Sequence, residues 1–258
     1  MARFRSRETV ESALGMSDAG VLDRINAETH GVTISTIRGW RRKYQRLGLV
    51  RTNSGYAGTP CPRCDDAELD EAAYALLLGW YLGDGSIARA RRGVFTLQII
   101  NDARYVELNQ EIAKAIRLVK PNASPCLRGG DGAVRIEARW KHWPCVFPQH
   151  GPGRKHLRKI ELAQWQREIV AEYPEKLLRG LFHSDGCRFV NWASKPGRDK
   201  RYYYVRYQFS NESEDIIGIL TDALDLLGIP WRRPRRNVIA VSRKVAVAAL
   251  DRFVGPKS

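Results

Sequence analysis

The sequence has no apolar segment long enough to cross a membrane. The apolar run through Trp80 and Leu82 meets the charged Asp84 well before the roughly 20 residues that a spanning helix needs. The first residues include Arg3 and Arg5, but no apolar core follows them, so a secretory signal is not expected. These absences argue against membrane proteins and secreted proteins.

Cysteine and acidic residues are also in short supply. The five cysteines are an odd number, and without a secretory signal they favour a reducing cytosol over a disulfide framework. The 28 acidic residues face 43 lysines and arginines, which leaves a formal net charge of +15. Such an excess is typical of a nucleic-acid partner. A cytoplasmic protein that associates with the nucleoid when bound to DNA is therefore expected.

One motif is present twice. Residues 77–85 and 178–186 are both apolar runs of helical character that close on Asp-Gly, and their aspartates, Asp84 and Asp185, lie 101 residues apart. For one copy, an ordinary helix stop with glycine after the last turn is the simpler interpretation. Two copies at domain spacing favour a structural repeat.

Small residues recur four positions apart in each run, as Gly79 with Gly83 and as Gly180 with Ser184. Residues at this spacing share one helix face, so two such helices can approach closely. Packed in parallel, they would place the two aspartates side by side. Two carboxylates that close require a divalent cation or a shared proton, and oxygen ligands suit magnesium or calcium.

The similarity continues beyond the motif. Residues 95–102 and 205–212 match each other as strands, each of which leads to an asparagine, Asn101 or Asn211, that we expect to cap the following helix. Apolar residues at helical spacing follow in both copies. The predicted unit is helix, two strands, helix, two strands, helix, used twice.

With these residues in view, the chain resembles the LAGLIDADG homing endonuclease family in its single-chain, two-repeat form, over roughly Leu69 to Ser258. The resemblance implies an α+β fold of two pseudo-twofold αββαββα repeats whose sheets form a DNA-binding saddle. It implies a site-specific, magnesium-dependent double-stranded DNA endonuclease. Asp84 and Asp185 would bind Mg²⁺ (or Mn²⁺), with backbone atoms of Gly83 and Ser184 as further ligands.

Four more residues take catalytic roles by this resemblance. Lys155 and Lys257 occupy matching places late in each repeat, where the family carries a lysine that polarises the attacking water or offsets charge. Gln98 and Gln208 match each other and resemble polar strand residues beside the metals. The simpler interpretation of a lysine in so basic a chain is a solvated or phosphate-facing group.

Residues 1–56 form a separate predicted domain of three short helices. The first runs from Glu8 to Leu14 and stops at Gly15, the second is capped by Ser17 and runs to about Thr29, and the third runs from about Ser35 to Gly48. The pattern resembles a helix-turn-helix, and a small helical bundle with a basic face is the alternative. The DNA contacts expected from the third helix are Ser35, Thr36, Arg38, Arg41, Arg42 and Arg46.

Basic residues cluster without matching acids nearby in the sequence, which favours phosphate contacts and salt-dependent binding. In residues 205–209, apolar and polar side chains alternate, so one strand face can pack on helices while the other meets DNA. The expected DNA contacts in the two-repeat domain are Arg188, Lys195, Arg198, Lys200, Arg201, Arg206, Arg232, Arg233, Arg235 and Arg236.

Residues 57–69 are predicted to be a linker, followed by a two-repeat domain over 70–258, with repeats at about 70–160 and 174–258. The linker contains Cys61 and Cys64, whose spacing is that of half a structural zinc site. The sequence has no second closely spaced pair of cysteines or histidines, so two reduced thiols are the alternative. The candidates for the missing ligands are Cys126, Cys145, His142, His150 and Cys187.

The expected partner is double-stranded DNA with a long, pseudo-symmetric target, bound by a monomer. Two other functions stay open. The first is a non-cleaving, sequence-specific transcription regulator on the same fold, although regulators of this kind often lose the aspartates that this chain keeps. The second is an RNA-splicing cofactor.

Overall fold

The computed structural model describes residues 6–47, 59–194, 197 and 200–257, without the side chains of residues 7 and 43–47. The predictions for Lys195, for Arg198, for the side chain of Arg46 and for a helix end at Gly48 lie outside the described residues. The chain divides into two compact units, Met1–Pro60 and Cys61–Ser258.

The first unit contains three helices, α1 (Arg7–Asp18), α2 (Asp23–Thr29) and α3 (Ile34–Leu47). Their small core is formed by the buried Ala13, Ala27 and Ile37, with Trp40 packed against it. Ser6 caps α1 by accepting a hydrogen bond from the Thr9 amide. The turn between α2 and α3 is four residues long, as a helix-turn-helix would require.

Two predicted helix boundaries in this unit are wrong. Gly15 does not stop α1, which continues to Asp18. Ser17 therefore lies in the last turn of α1, where its hydroxyl donates to the Ala13 carbonyl at 3.1 Å. The second helix begins at Asp23 after Leu22, without a side-chain cap. A helical glycine costs only about 1 kcal/mol relative to alanine, and burial of α1 outweighs that cost.

The second unit contains the αββαββα unit twice, as predicted. The first repeat comprises α4 (Glu71–Leu82), β1 (Gly85–Arg89), β2 (Phe95–Asp102), α5 (Val106–Val119), β3 (Cys126–Gly130), β4 (Ala133–Trp140) and α6 (Trp143–Val146). The second comprises α8 (Pro174–Asp185), β5 (Gly186–Ser194), β6 (Arg201–Ser210), α9 (Glu214–Leu226), β7 (Arg232–Arg235), β8 (Val238–Val241) and α10 (Lys244–Asp251). Helix α7 (Gln164–Glu172) connects them, and Pro174 begins α8 as expected.

The two sheets have the same topology. Their strand orders are β1-β2-β4-β3 and β5-β6-β8-β7, with antiparallel neighbours throughout. Gly85 pairs with Ile99 in one sheet, and Gly186 pairs with Phe209 in the other, so the register is equivalent as well. This common architecture confirms the predicted α+β fold of two repeats.

The strands alternate as predicted. Tyr207 and Phe209 of β6 are buried against the helices, while Arg206 and Gln208, which alternate with them, are only partly buried. In β4 the same alternation leaves Arg135 and Arg139 exposed. Each sheet therefore covers the helical core with one face and presents polar residues on the other.

Helix α4 is at the centre of the core, because every residue from Ala73 to Leu82 is buried. A helix that is apolar on all sides needs partners on all sides, and α4 packs against α8 as well as α5. Within the described residues, none of the helices combines the length and apolarity required to traverse a bilayer.

The expected helix caps at Asn101 and Asn211 are wrong. Helix α9 is capped by Ser213, whose hydroxyl accepts from the Ile216 amide, and α5 follows Tyr105 without a side-chain cap. The Asn101 amide group instead donates to Asn109 at 2.9 Å in the core. Neither asparagine side chain therefore caps a helix, and each can form hydrogen bonds elsewhere in the fold.

Candidate catalytic site

The two helices that carry the doubled motif touch backbone to backbone. A β-carbon added at Gly79 would lie 2.9 Å from the Gly180 α-carbon and 2.4 Å from the Leu177 carbonyl oxygen. Near the ends of the helices, a β-carbon at Gly83 would lie 2.0 Å from the Ser184 hydroxyl and 3.3 Å from Asp185 Oδ2. The small residues at four-residue spacing therefore form the predicted contact between α4 and α8.

This contact brings the two aspartates together at matching positions. Asp84 comes after Gly83, the residue that caps the end of α4, and Asp185 is the last residue of α8. The surrounding protein and the neighbouring Asp185 carboxylate raise the pKa of Asp84 to about 6. Burial also raises the pKa of Asp185. Asp84 nevertheless keeps an exposed surface, so the pair is accessible to solvent and to a ligand.

Glycines after each aspartate allow the chain to turn back closely over the helix. A β-carbon at Gly85 would lie 2.4 Å from the Tyr81 α-carbon, and one at Gly186 would lie 2.6 Å from the Phe182 carbonyl oxygen. Only glycine can be accommodated so near the backbone of the preceding turn. The Asp-Gly sequence thus leads directly from each helix into the first strand of its repeat.

The two matching lysines lie at the ends of these helices. Lys155 donates hydrogen bonds to the carbonyls of Leu82 at 2.8 Å and Gly83 at 2.7 Å, and also to the Tyr81 carbonyl. Lys257 approaches the Ser184 carbonyl at 3.4 Å. A cation is favourable here, because the last carbonyls of a helix carry partial negative charge.

Burial lowers the pKa of Lys155 to about 8, although the two aspartates act in the opposite direction. Burial likewise lowers the pKa of Lys257. The lysines affect the aspartates in turn, because the positive charges of Lys155 and Lys257 lower the pKa of both Asp84 and Asp185 and so oppose the effect of burial. Lys159, which lies nearby in the sequence, instead pairs with Glu161 at 3.1 Å.

Asn211 belongs to this site, although sequence analysis assigned it only a capping role. Its side-chain amide donates to Asp185 Oδ2 at 2.6 Å, and its side-chain oxygen accepts from the Ser213 amide at 2.8 Å. The hydrogen bond favours ionised Asp185 and so opposes the rise in its pKa. We refer to Asp84, Asp185, Lys155, Lys257 and Asn211 as the aspartate site.

Gln98 and Gln208 occupy equivalent positions in the two sheets, opposite Ser86 and Cys187 respectively. Their partners differ. Gln98 donates to Glu137 at 3.2 Å, whereas the side-chain amide of Gln208 approaches the Ser210 hydroxyl at 3.5 Å. The repeat relation is therefore confirmed in the register of the strands, while their catalytic role stays a prediction.

No family model and no curated protein matches this chain. Among solved structures, the chain is similar to the LAGLIDADG meganuclease I-AabMI bound to uncleaved DNA, with 13% identity and a TM-score of 0.45 over 70% of this chain and 82% of that one. It is also similar to I-DmoI in complex with DNA and Mn, with 12% identity and a TM-score of 0.46 over 71% and 97%.

A further similar structure is the I-SmaMI LAGLIDADG homing endonuclease bound to cleaved DNA, with 9% identity and a TM-score of 0.43 over 74% of this chain and 84% of that one. At such identities, side-chain roles do not transfer from one chain to another. The role of each residue has to follow from its own surroundings in this protein.

The predicted DNA-contacting residues of the second sheet are largely exposed, but several have acidic partners that sequence analysis did not find. Arg233 pairs with Glu214 at 2.6 Å, and Arg236 pairs with Glu212 at 2.6 Å. Glu214 begins α9 and Glu212 lies just before it, 19 and 24 residues before their partner arginines in the sequence. The prediction of unmatched charge is therefore wrong for these two arginines.

The other residues of that set have varied surroundings. Arg188 makes two hydrogen bonds with Asp251, at 2.8 and 3.0 Å. Arg201 lies over the Trp192 ring at 4.5 Å, and Lys200 lies over Tyr202 at 5.5 Å. The remaining members also lie in the second sheet: Arg206 beside the Phe189 ring, Arg232 with the Ser242 hydroxyl, and Arg235 on the exposed strand β7.

In the first unit, Asp23 holds two of the predicted DNA-contacting arginines. It accepts from Arg38 at 3.0 Å and from Arg41 at 2.8 Å, which joins α2 to α3. Ser35 and Thr36 share hydrogen bonds with the Thr33 hydroxyl at the start of α3. The basic face is therefore partly neutralised, and Arg42 is left exposed on it.

Cys61 and Cys64 belong to a second group of side chains, with His142 and Cys145. Of the five proposed sources of further ligands, the structure brings together only these last two with the Cys61–Cys64 pair within its described residues. Cys126 and Cys187 are exposed on β3 and β5, and His150 lies against the Phe95 ring.

Proposed function

We propose that this protein is a site-specific endonuclease that hydrolyses both strands of double-stranded DNA. The observation that carries the proposal is the pair of carboxylates, Asp84 and Asp185, at the matched ends of two contacting helices. Each repeat contributes one carboxylate and one sheet with a polar outer face. A single chain thus contains two half-sites, which suits a monomer on a long, pseudo-symmetric target.

The aspartate site fits a divalent cation. Its donors are hard oxygen atoms, the ligands that Mg²⁺ and Mn²⁺ prefer, and burial beside a like charge leaves the carboxylates in need of positive charge. Asp84 and Asp185 would hold the ion. When bound, it supplies stabilisation of the attacking and leaving oxygens of the phosphodiester.

The predicted backbone ligands Gly83 and Ser184 are less available. Their carbonyls lie against Lys155 and Lys257, at 2.7 and 3.4 Å. An ammonium group has three donors, and those of Lys155 are directed at three carbonyls of the α4 terminus. We therefore assign Lys155 to offsetting the negative charge of the helix end and the carboxylates, and not to direct activation of water.

Recognition of DNA is assigned to the outer faces of the sheets and to the first unit. Arginine suits guanine and phosphate, and glutamine suits adenine; β6 contains both in Arg206 and Gln208. In the first unit, α3 would enter the major groove with Ser35 and Thr36 near the bases and Arg42 near a phosphate. The charge excess predicts binding that weakens steeply with salt.

The test begins with selection of bound duplexes from a random DNA pool, because the target sequence is unknown. Magnesium is then added to the selected complexes, and strand breaks are read by end labelling. We expect cleavage of both strands by the wild type and none by Asp84→Asn or Asp185→Asn. Asp222→Asn is the matched control, since it removes one exposed carboxylate from α9.

A sequence-specific regulator that does not cut is the second candidate. It is favoured by one observation, namely that lysine ammonium groups already contact the carbonyls at both helix ends. Specific binding with no nick or cut at any magnesium or manganese concentration, and with Asp84→Asn equal to wild type, would establish it and exclude the endonuclease.

A further inference from the structure

A cluster of three cysteines and one histidine lies in the second unit, formed by Cys61, Cys64, His142 and Cys145. Its four potential ligand atoms all lie within 4.8 Å of one another. The Sγ atoms of Cys64 and Cys145 are 3.5 Å apart, and Cys145 Sγ is 3.7 Å from His142 Nδ1. We refer to these four residues as the Cys/His cluster.

The first half of the cluster is a tight turn. The Cys61 carbonyl accepts from the amides of Cys64 at 3.3 Å and Asp65 at 2.9 Å. The Arg63 amide donates to Cys61 Sγ at 3.4 Å, and the Cys61 amide donates to Asp65 Oδ2 at 2.8 Å. This turn places the Cys61 and Cys64 ligand atoms within 4.8 Å of each other.

The second half comes from the start of α6. His142 directly precedes this helix, and Cys145 lies in its first turn, with its amide donating to the His142 carbonyl at 3.0 Å. Both halves therefore separate their two ligands by two residues. The second half has the same spacing as the cysteine pair but combines a histidine with a cysteine, so the sequence does not show it as a second pair of like residues.

We propose that the Cys/His cluster is a structural zinc site. Three thiolates and one imidazole form one of the ligand sets typical of tetrahedral, structural zinc. Thiolate ligands disfavour magnesium and calcium, which prefer oxygen. Four protein ligands would close the coordination sphere, so the ion would have no open position for catalysis. The site is chemically distinct from the aspartate site.

Zinc at this position would fasten the segment before α4 to the end of the first repeat. Cys61 is fully buried in the main core, and Arg63, two residues later, lies over the Trp165 ring at 4.7 Å. The ligands are separated by about 80 residues in sequence, so the ion would close a long loop. Metal binding would therefore add directly to the stability of the folded state.

The proposal is tested by measuring how much zinc the purified full-length protein contains. Untagged protein, purified under reducing conditions, is examined by native mass spectrometry and elemental analysis. We expect about one zinc ion per chain. Cobalt substitution should give the thiolate-to-metal absorption and the visible bands of a tetrahedral ion. Removal of zinc by a chelator should lower Tm, and zinc should restore it.

Cysteine variants test whether the zinc is bound by this cluster and not by the other cysteines of the chain. Cys64→Ser and Cys145→Ser should lose most of the bound zinc, whereas Cys126→Ser and Cys187→Ser should retain it, because these two cysteines are exposed and outside the cluster. His142→Cys serves where a serine variant does not fold, since it keeps four ligands. It should retain zinc and shift the cobalt spectrum.

Three results would overturn the proposal. They are wild-type protein with reduced thiols and no zinc, zinc content unchanged by Cys145→Ser, and a Cys64–Cys145 disulfide in protein alkylated before analysis. None of these measurements depends on DNA cleavage. The zinc site can therefore fail while the proposed endonuclease stands, and the converse also holds.

Discussion

The Asn211 amide group donates a 2.6 Å hydrogen bond to Asp185, and among the described residues of the first repeat none donates an equivalent hydrogen bond to Asp84. Asn101, the matching residue, is directed at Asn109 in the core instead. The two halves of the aspartate site therefore differ, although the repeats share one fold.

We predict from this difference that Asn211→Ala will slow the cutting of one strand more than the other. A hydrogen bond to a charged group contributes about 1.5–3 kcal/mol, so the slower strand should lose roughly tenfold or more in rate. Duplexes labelled on either strand measure both rates in one reaction, and the second strand is the internal control. Equal slowing of both strands would contradict the prediction.

Asp84→Asn should stabilise the metal-free protein near pH 8 while abolishing cleavage. The folded state raises the pKa of Asp84 to about 6, so stability is lost as the pH rises from about 4 through 6, and the loss is complete near pH 8. Below about pH 4 the carboxyl is neutral in both states, and the variant and wild type should converge. Because part of Asp84 is exposed to solvent, screening by water reduces the expected increase in stability of the variant.

Thermal unfolding in EDTA across this pH range provides the measurement, with Asp222→Asn as the control. A lower Tm of Asp84→Asn at pH 8 would mean that the carboxylate is stabilising, and it would remove the reason for assigning a cation to the aspartate site.

Gly79→Ala should destabilise the second unit by about 3 kcal/mol or more, because the new methyl group would meet the Leu177 carbonyl at 2.4 Å. Gly218→Ala is the matched control. Gly218 is also within a helix, α9, but a β-carbon there meets nothing within 4 Å. The Gly218→Ala variant should therefore be about 0.5–1 kcal/mol more stable to unfolding than the wild type, because alanine has the higher helix propensity.

Guanidinium unfolding of both variants gives the comparison. Similar free energies of unfolding for Gly79→Ala and wild type would mean that α4 and α8 are not in backbone contact.

We predict that the free energy of unfolding decreases at acidic pH because of His183. It is 1% exposed, and its Nε2 atom donates to the Val254 carbonyl at 2.9 Å. Burial, together with the nearby Arg179, lowers its pKa to about 4. Between pH 6.5 and 4, the unfolded chain binds a proton that the folded chain does not, so on the order of 3 kcal/mol of stability is lost as the pH falls.

His183→Leu, which copies Leu82 of the first repeat, should lack this part of the pH dependence. Urea unfolding at several pH values measures both proteins, and the other titrating groups are common to the two. Parallel curves would show that His183 titrates normally in the folded state.

The features that sequence analysis predicted correctly are those determined by local spacing. The contact between α4 and α8 follows from Gly79 and Gly180 together with their neighbours four residues on. The alternation in β6 follows from Tyr207 and Phe209. In both cases the informative residues lie two to four positions apart within one helix or strand. The second copy of the motif provides independent support for the helix contact.

The features that it missed depend on distant partners. Asn211 reaches Asp185 because β6 ends beside α8, which no local pattern encodes. The acids that neutralise Arg233 and Arg236 come from another element. The end of α1 also depends on tertiary structure, since burial of Ala13 and Leu14 carries the helix through Gly15. Local propensity is too weak to determine such boundaries.

The close approach of Gly79 and Gly180 bears on how such a chain could change its target. Main-chain atoms touch there, so the separation of Asp84 and Asp185 does not depend on the side chains of the sheets. Residues on the outer strand faces can then be exchanged without altering the interval between the two carboxylates. Under the proposed function, new DNA sequences could be recognised while the stagger between the two cuts stayed constant.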